Sequence, residues 1–141
     1  MAATKVLLDT GPLVGYLNRN DQHHDWAVRC WSALRDPLWT CEAVLSESIF
    51  ILQSERINPE PIFQLVEREI VRLDFVASDH QSDVTRLLRK YAARPMSLAD
   101  ACLVRMSELT DSCQVLTTDS DFRVYRRKGL HVIPLLSPPK R

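Results

Sequence analysis

The chain reads as an α/β domain, a central parallel β-sheet flanked by helices in three layers. Three observations carry that reading. Short apolar runs such as Val6-Leu7-Leu8 and Val115-Leu116 have strand character. Stretches of helical periodicity separate them, and strands alternating with helices make a parallel sheet. Two of the runs end at acidic positions, Asp9 in one and Asp119-Ser120-Asp121 in the other. Carboxyl ends of parallel strands are where α/β folds place their ligand crevice, so the same pattern predicts a site.

The elements follow in order. Lys5 to Leu8 is a buried strand, and Gly11-Pro12 opens a short helix through Leu17. Asp21 can cap a second helix with the stripe Ala27, Cys30, Trp31, Leu34, which Asp36-Pro37 ends. Leu38-Trp39 is a short link or strand, and Thr40 can cap a third helix to about Gln53. Asn58-Pro59-Glu60-Pro61 starts a fourth helix, since proline suits a first helical turn. Ile70 to Phe75 is a strand. Asp79 or His80 begins a fifth helix, broken at Ala93-Arg94-Pro95, and Ser97 to about Leu109 is a sixth. Cys113 to Thr117 and Leu130 to Ile133 are the last strands, with prolines and a frayed basic tail after them.

Size and composition bound the function. The 141 residues suit one domain over 1–141, with 45% hydrophobic and 26% charged residues, an ordinary balance for a globular chain. Eighteen Lys and Arg offset eighteen Asp and Glu, so a polyanion would have to be held by local patches and metal rather than by net charge. Cys30, Cys41, Cys102 and Cys113 form no C-x-x-C pair and read as small buried hydrophobes of a reducing compartment. There is no signal-like apolar segment and no run near the ~18 residues a membrane helix needs, so a cytoplasmic protein off the membrane is expected. With three glycines and no G-x-S-x-G, P-loop or G-x-G-x-x-G, serine hydrolases and nucleotide cradles are disfavoured. The histidines lack zinc spacing.

Each carboxylate has a structural alternative. Asp9 could serve as a turn or helix cap before Gly11-Pro12. Glu47 falls between Val44 and Ile51 on an inward stripe, where a carboxylate is costly unless paired or bound to metal. Glu42 merely suits a first helical turn. Ser97 and Asp100 have capping-box spacing, although a carboxylate in that first turn can also face the strand ends. Asp119 and Asp121 could cap a short turn through Phe122, or reach one cation together. Carboxylates brought side by side repel unless a cation sits between them, and an all-oxygen set suits Mg²⁺ or Mn²⁺. Thr10, Thr117 and Thr118 supply hydroxyls nearby.

Taken together, four motifs resemble those of the PIN-domain ribonucleases, especially the VapC-type toxins of toxin–antitoxin pairs. They are Leu7-Leu8-Asp9-Thr10, Val44-Leu45-Ser46-Glu47, Met96-Ser97-Leu98-Ala99-Asp100-Ala101 and Leu116-Thr117-Thr118-Asp119-Ser120-Asp121-Phe122. The resemblance extends from Val6 to Phe122. It implies a catalytic set of Asp9, Glu47, Asp100 and Asp119, with Asp9, Asp100, Asp119 and Asp121 toward Mg²⁺ or Mn²⁺. Whether Asp119 or Asp121 touches the metal is left open. The implied reaction is metal-assisted hydrolysis of an RNA phosphodiester in single-stranded or loop RNA, leaving a 5′ phosphate. Thr10, Thr118, Arg123 and Arg126 are the expected substrate contacts. A cognate antitoxin and a homodimer are implied as partners. The alternatives are a PIN-domain nuclease of RNA processing and a catalytically silent RNA-binding or assembly module.

Overall fold

Val6, Leu7 and Leu8 are all buried, which makes β1 (Lys5–Leu8) the middle of the sheet rather than an edge. In the computed structural model, which describes residues 4–139, β1 leads into α1 (Thr10–Leu17), α2 (His24–Ala33) and β2 (Leu38–Thr40). Then come α3 (Glu42–Ser54), α4 (Glu60–Glu67), β3 (Val71–Leu73), α5 (Gln81–Lys90), α6 (Leu98–Glu108) and β4 (Cys113–Leu116). Three two-residue strands close the described chain: β5 (Arg126–Arg127), β6 (His131–Val132) and β7 (Leu135–Leu136).

Five strands form one parallel sheet in the order β3-β2-β1-β4-β7, flanked by the six helices in an α/β/α arrangement. The chain steps outward from β1 through β2 to β3, then returns to β4 on the other side of β1. The boundary between β1 and β4 is therefore the topological switch point, where two consecutive crossovers diverge and leave a crevice. Leu8 lies beside Leu116 in register, and the Asp9 N–H donates to the Leu116 carbonyl at 3.0 Å. Asp9 and Thr117 consequently leave the sheet together.

The structure revises several boundaries. Thr40 caps no helix: it is buried in β2 and its hydroxyl donates to the Leu8 carbonyl at 2.7 Å, while Cys41 stands at the N-cap of α3. Asp21 lies short of α2, its Oδ1 accepting the His23 N–H at 2.8 Å. The strand expected over Leu130 to Ile133 is not in the sheet. His131–Val132 pairs antiparallel with Arg126–Arg127, and the sheet's outer strand is Leu135–Leu136, beyond Pro134. Proline fits there because an edge position needs only its carbonyl, which accepts the Val115 N–H at 2.9 Å. The expected basic tail, Lys140 and Arg141, lies outside the described residues, as do Met1–Ala3.

On α3 the buried stripe is Val44, Ser48 and Leu52, at spacing i, i+4, i+8. Glu47 sits at the stripe's margin, half-buried, facing the crevice beside α1. On α6 nearly every residue is buried, because the helix passes between the sheet, α3 and α5. Among the described residues no helix is long and apolar enough to cross a membrane.

Candidate functional site

Asp9 is the N-cap of α1 and is only 5% exposed. Its Oδ1 accepts the Thr10 N–H at 2.8 Å and its Oδ2 the Thr117 hydroxyl at 2.6 Å. The capping alternative and the site are thus both present in one residue. Burial is the largest influence on its ionisation and raises the pKa from 3.8 to about 7; the two hydrogen bonds oppose that, and the nearby charges of Asp100 and Asp119 add to it.

Asp100 occupies the first turn of α6. The capping box is complete: the Ser97 hydroxyl accepts the Asp100 N–H at 3.0 Å, and Asp100 Oδ2 accepts the Ser97 N–H at 3.2 Å. Burial raises this carboxyl as well, with further upward pressure from Asp119 and Glu47. Glu47 reaches across from α3, its Oε2 accepting the Thr10 hydroxyl at 3.0 Å. Asp119 follows β4, with its own N–H given to Thr117 Oγ1 at 2.9 Å and its Oδ1 accepting the Asp121 N–H at 2.9 Å. Four carboxylates from four separate elements therefore share one field at the switch point.

Asp121 takes a different direction. Its Oδ1 is paired with Arg94 Nη1 at 2.8 Å, on the flank of the turn. The basic residues after that turn divide in the same way. Arg126 Nη1 donates to the carbonyls of Arg123, Val124 and Tyr125, so this group holds its own turn and not an outside ligand. Arg127 Nη2 donates to the carbonyls of Ser107 and Thr110. Arg123 remains exposed, its Nη2 donating to Ser137 Oγ at 3.3 Å beside a notch of about 170 Å³ that reaches Thr118 and Asp119. Thr10 is engaged with Glu47, and Thr118 lies against Gly11: a Cβ there would stand 2.0 Å from Thr118 Oγ1.

Two residues of the site were missed by the sequence reading. Tyr125 is fully buried and its hydroxyl donates to Asp100 Oδ2 at 3.2 Å; burial and the adjoining Asp100 push its own pKa up. Tyr91 and Phe122 fix the ring edge-on at 5.0 and 5.2 Å between centroids. Phe122 and Tyr125, three apart just after the acidic turn, are the local signal that could have flagged it. Arg94, in sequence part of the break after the fifth helix and one of the cations flanking it, is the other: it pairs with Asp121.

A second cleft, about 470 Å³, opens beside Glu47 and is lined by Phe75, Leu98, Ala99 and the Cys41 and Cys102 thiols. The adjoining Cys102 thiol and burial push the Cys41 thiol up. The histidines stay out of the site's centre: His24 Nδ1 bonds the Gly15 carbonyl at 2.7 Å, and His80 accepts from Arg105 Nε at 3.2 Å.

The PIN domain family model matches residues 6–128, which spans all four acidic positions. The chain belongs to the PIN domain family. Comparison with curated protein sequences finds no match. Among solved structures, this PIN domain is similar to Mycobacterium tuberculosis VapC20, a sarcin-ricin loop cleaving toxin, at 20% identity and a TM-score of 0.77. The match covers 85% of this chain and 94% of that one.

The donor set of the PIN site is all oxygen, the chemistry that Mg²⁺ and Mn²⁺ prefer. Among the described residues no three His, Cys, Asp or Glu are already closed around one point. The fit rests instead on the buried Asp9 and its neighbours, whose mutual repulsion a divalent cation would relieve.

Proposed function

We propose that this PIN domain is a Mg²⁺- or Mn²⁺-dependent endoribonuclease, acting in the cytoplasm as the toxin of a toxin–antitoxin pair. One observation carries the reading: Asp9, Glu47, Asp100 and Asp119 converge from four elements at the switch point of a PIN fold. Asp9, Asp100 and Asp119 are assigned as the residues that hold the cation. Glu47, fixed by Thr10, is assigned to ligation or to aligning a water. Asp121, committed to Arg94, is assigned to shaping the Asp119 turn. A bound divalent cation supplies Lewis acidity toward the scissile phosphate and lowers the pKa of an attacking water. The residues themselves do the rest. Thr117 and Thr10 hold two of the carboxylates in place, and Tyr125 with the Ser97 N–H fixes the third. Thr118 and Arg123, beside Asp119, suit a phosphodiester backbone entering the notch. An antitoxin peptide and a second copy of the chain are the proposed partners. The relative that cleaves the sarcin-ricin loop supports a structured RNA loop as the kind of substrate.

The test uses purified protein and a loop-containing RNA. Cleavage should require Mg²⁺ or Mn²⁺, and Asp9→Ala should abolish it while thermal melting shows a folded chain. Undiminished cleavage in EDTA refutes the metal role. Expressed alone, the wild-type chain should arrest growth and Asp100→Ala should not; harmless wild-type expression refutes the toxin role.

A further inference from the structure

We infer that a surface trough leading from Asp119 over His23 to Trp26 and Arg29 carries the RNA strand that flanks the scissile bond, an inference that rests on the ribonuclease reading. The notch beside Asp119 and a second cavity of about 510 Å³ share His23, Pro138 and Pro139, so they form one continuous depression. One wall is the N-terminal part of α2, and the other is the segment Ser137 to Pro139 that follows β7.

The chemistry along it suits a single strand. Arg123 stands at the inner end and Arg29 at the outer end, with the His23 imidazole between them. Trp26 lines the outer cavity half-buried, packed on the core, with His23 edge-on to it at 6.4 Å between centroids. A fixed indole face stacks on any base, and guanidinium groups track the backbone phosphates. Asp25 is the one acidic group of the outer cavity.

Charge placement supports this path: most cations beside α5 and after the acidic turn are engaged, with Arg89 and Lys128 the exceptions outside any ion pair among the described residues. Arg94, Arg126 and Arg127 are engaged with Asp121 and with backbone carbonyls. Arg86 is paired with Asp83, and Lys90 donates to the Gly129 carbonyl. Arg29 is exposed and in no ion pair among the described residues. In a chain of zero net charge, an uncommitted cation lining the depression that leads to Asp119 favours that path for a polyanion.

The test is fluorescence anisotropy with a labelled single-stranded RNA 12-mer in EDTA, which blocks turnover without altering the trough. Arg29→Ala should weaken binding several-fold and lower the salt slope by about 0.7, the value for one phosphate contact on a single strand. Trp26→Leu should weaken binding roughly five- to a hundredfold, the range for one lost base stack. Arg68→Ala, beside the opposite edge of the sheet, is the control and should bind as wild type. Wild-type binding unmoved by Arg29→Ala overturns the trough alone, whether or not Trp26→Leu folds. Failure of the wild type to bind or cleave RNA overturns the ribonuclease reading, and the trough with it.

Discussion

The Thr117 hydroxyl donates to Asp9 Oδ2 at 2.6 Å, joining two residues 108 positions apart in the chain. The same oxygen accepts the Asp119 N–H, so one threonine fixes the carboxylates at the ends of β1 and β4 together. Conversion of Thr117 to Val should leave Asp9 ionising less readily and free to rotate. Outer partners of this kind are worth about 10- to 100-fold in metal affinity. Calorimetric titration with Mn²⁺ at neutral pH should show a loss of that size, restored by Thr117→Ser. Unchanged affinity in the valine variant would refute the role.

Asp9 also predicts a pH dependence. Its folded pKa, about 7, lies above the ordinary 3.8, so the folded protein holds a proton that the unfolded chain releases. The cost of ionising Asp9 in the fold is absent below the unfolded value. It grows as pH rises through the interval up to about 7 and is complete above it. The raised Asp100 acts with the same sign. Thermal melts in chelator should therefore show stability falling from pH 4 to 7.5, with a flatter profile for Asp9→Asn. A wild-type profile that rises over that interval would contradict the assignment.

Tyr125→Phe removes the hydroxyl from Asp100 while keeping the ring between Tyr91 and Phe122. Lost stability should be about 1 kcal/mol, the ordinary net worth of one hydrogen bond. Cleavage should fall further than that, by about tenfold or more, because Asp100 loses a donor that favours its charged form. The pH profile of cleavage should move upward in parallel. A variant with lower stability and an unmoved profile would reduce Tyr125 to a packing residue.

Gly11 is held small by Thr118. An added Cβ would meet Thr118 Oγ1 at 2.0 Å and Thr118 Cβ at 3.2 Å, so Gly11→Ala should displace the segment that carries Asp119. Activity should drop more than stability does. The double variant Gly11→Ala/Thr118→Ser, which removes a methyl but not the clashing oxygen, should not recover; Gly11→Ala/Thr118→Ala should recover folding.

Asp119 and Asp121 should separate cleanly. The Arg94–Asp121 pair is partly exposed, at 45% and 31% for the two side chains, and such pairs contribute about 0–1 kcal/mol. Asp121→Asn should thus be mild in both stability and cleavage, whereas Asp119→Asn should cripple Mn²⁺ binding. Equal losses from the two would place both on the metal.

Local chemistry is what the sequence displays. Val6-Leu7-Leu8 before Asp9, the Ser97–Asp100 capping spacing and the acidic turn after Leu116 are each legible within a few residues. Strand and helix periodicity and cap spacing act over that same range. The parallel α/β class followed from them, as did the four carboxylates to examine. Boundaries slipped where tertiary partners override propensity: Thr40 gives its hydroxyl to Leu8 instead of capping α3, and Pro134 precedes a sheet strand instead of ending the last one.

Only the folded chain decides how those residues divide the work. Which hydroxyl holds which carboxylate, that Asp121 turns to Arg94, that Tyr125 reaches Asp100, and that Arg126 closes on its own carbonyls are contacts set by geometry. The sequence by itself determined the fold class and the acidic positions, because backbone periodicity and helix capping are local. Tertiary structure alone decided that β1 and β4 are neighbours in register, because strand order depends on how distant apolar faces pack. That adjacency turns separate strand-end aspartates into one charged crevice.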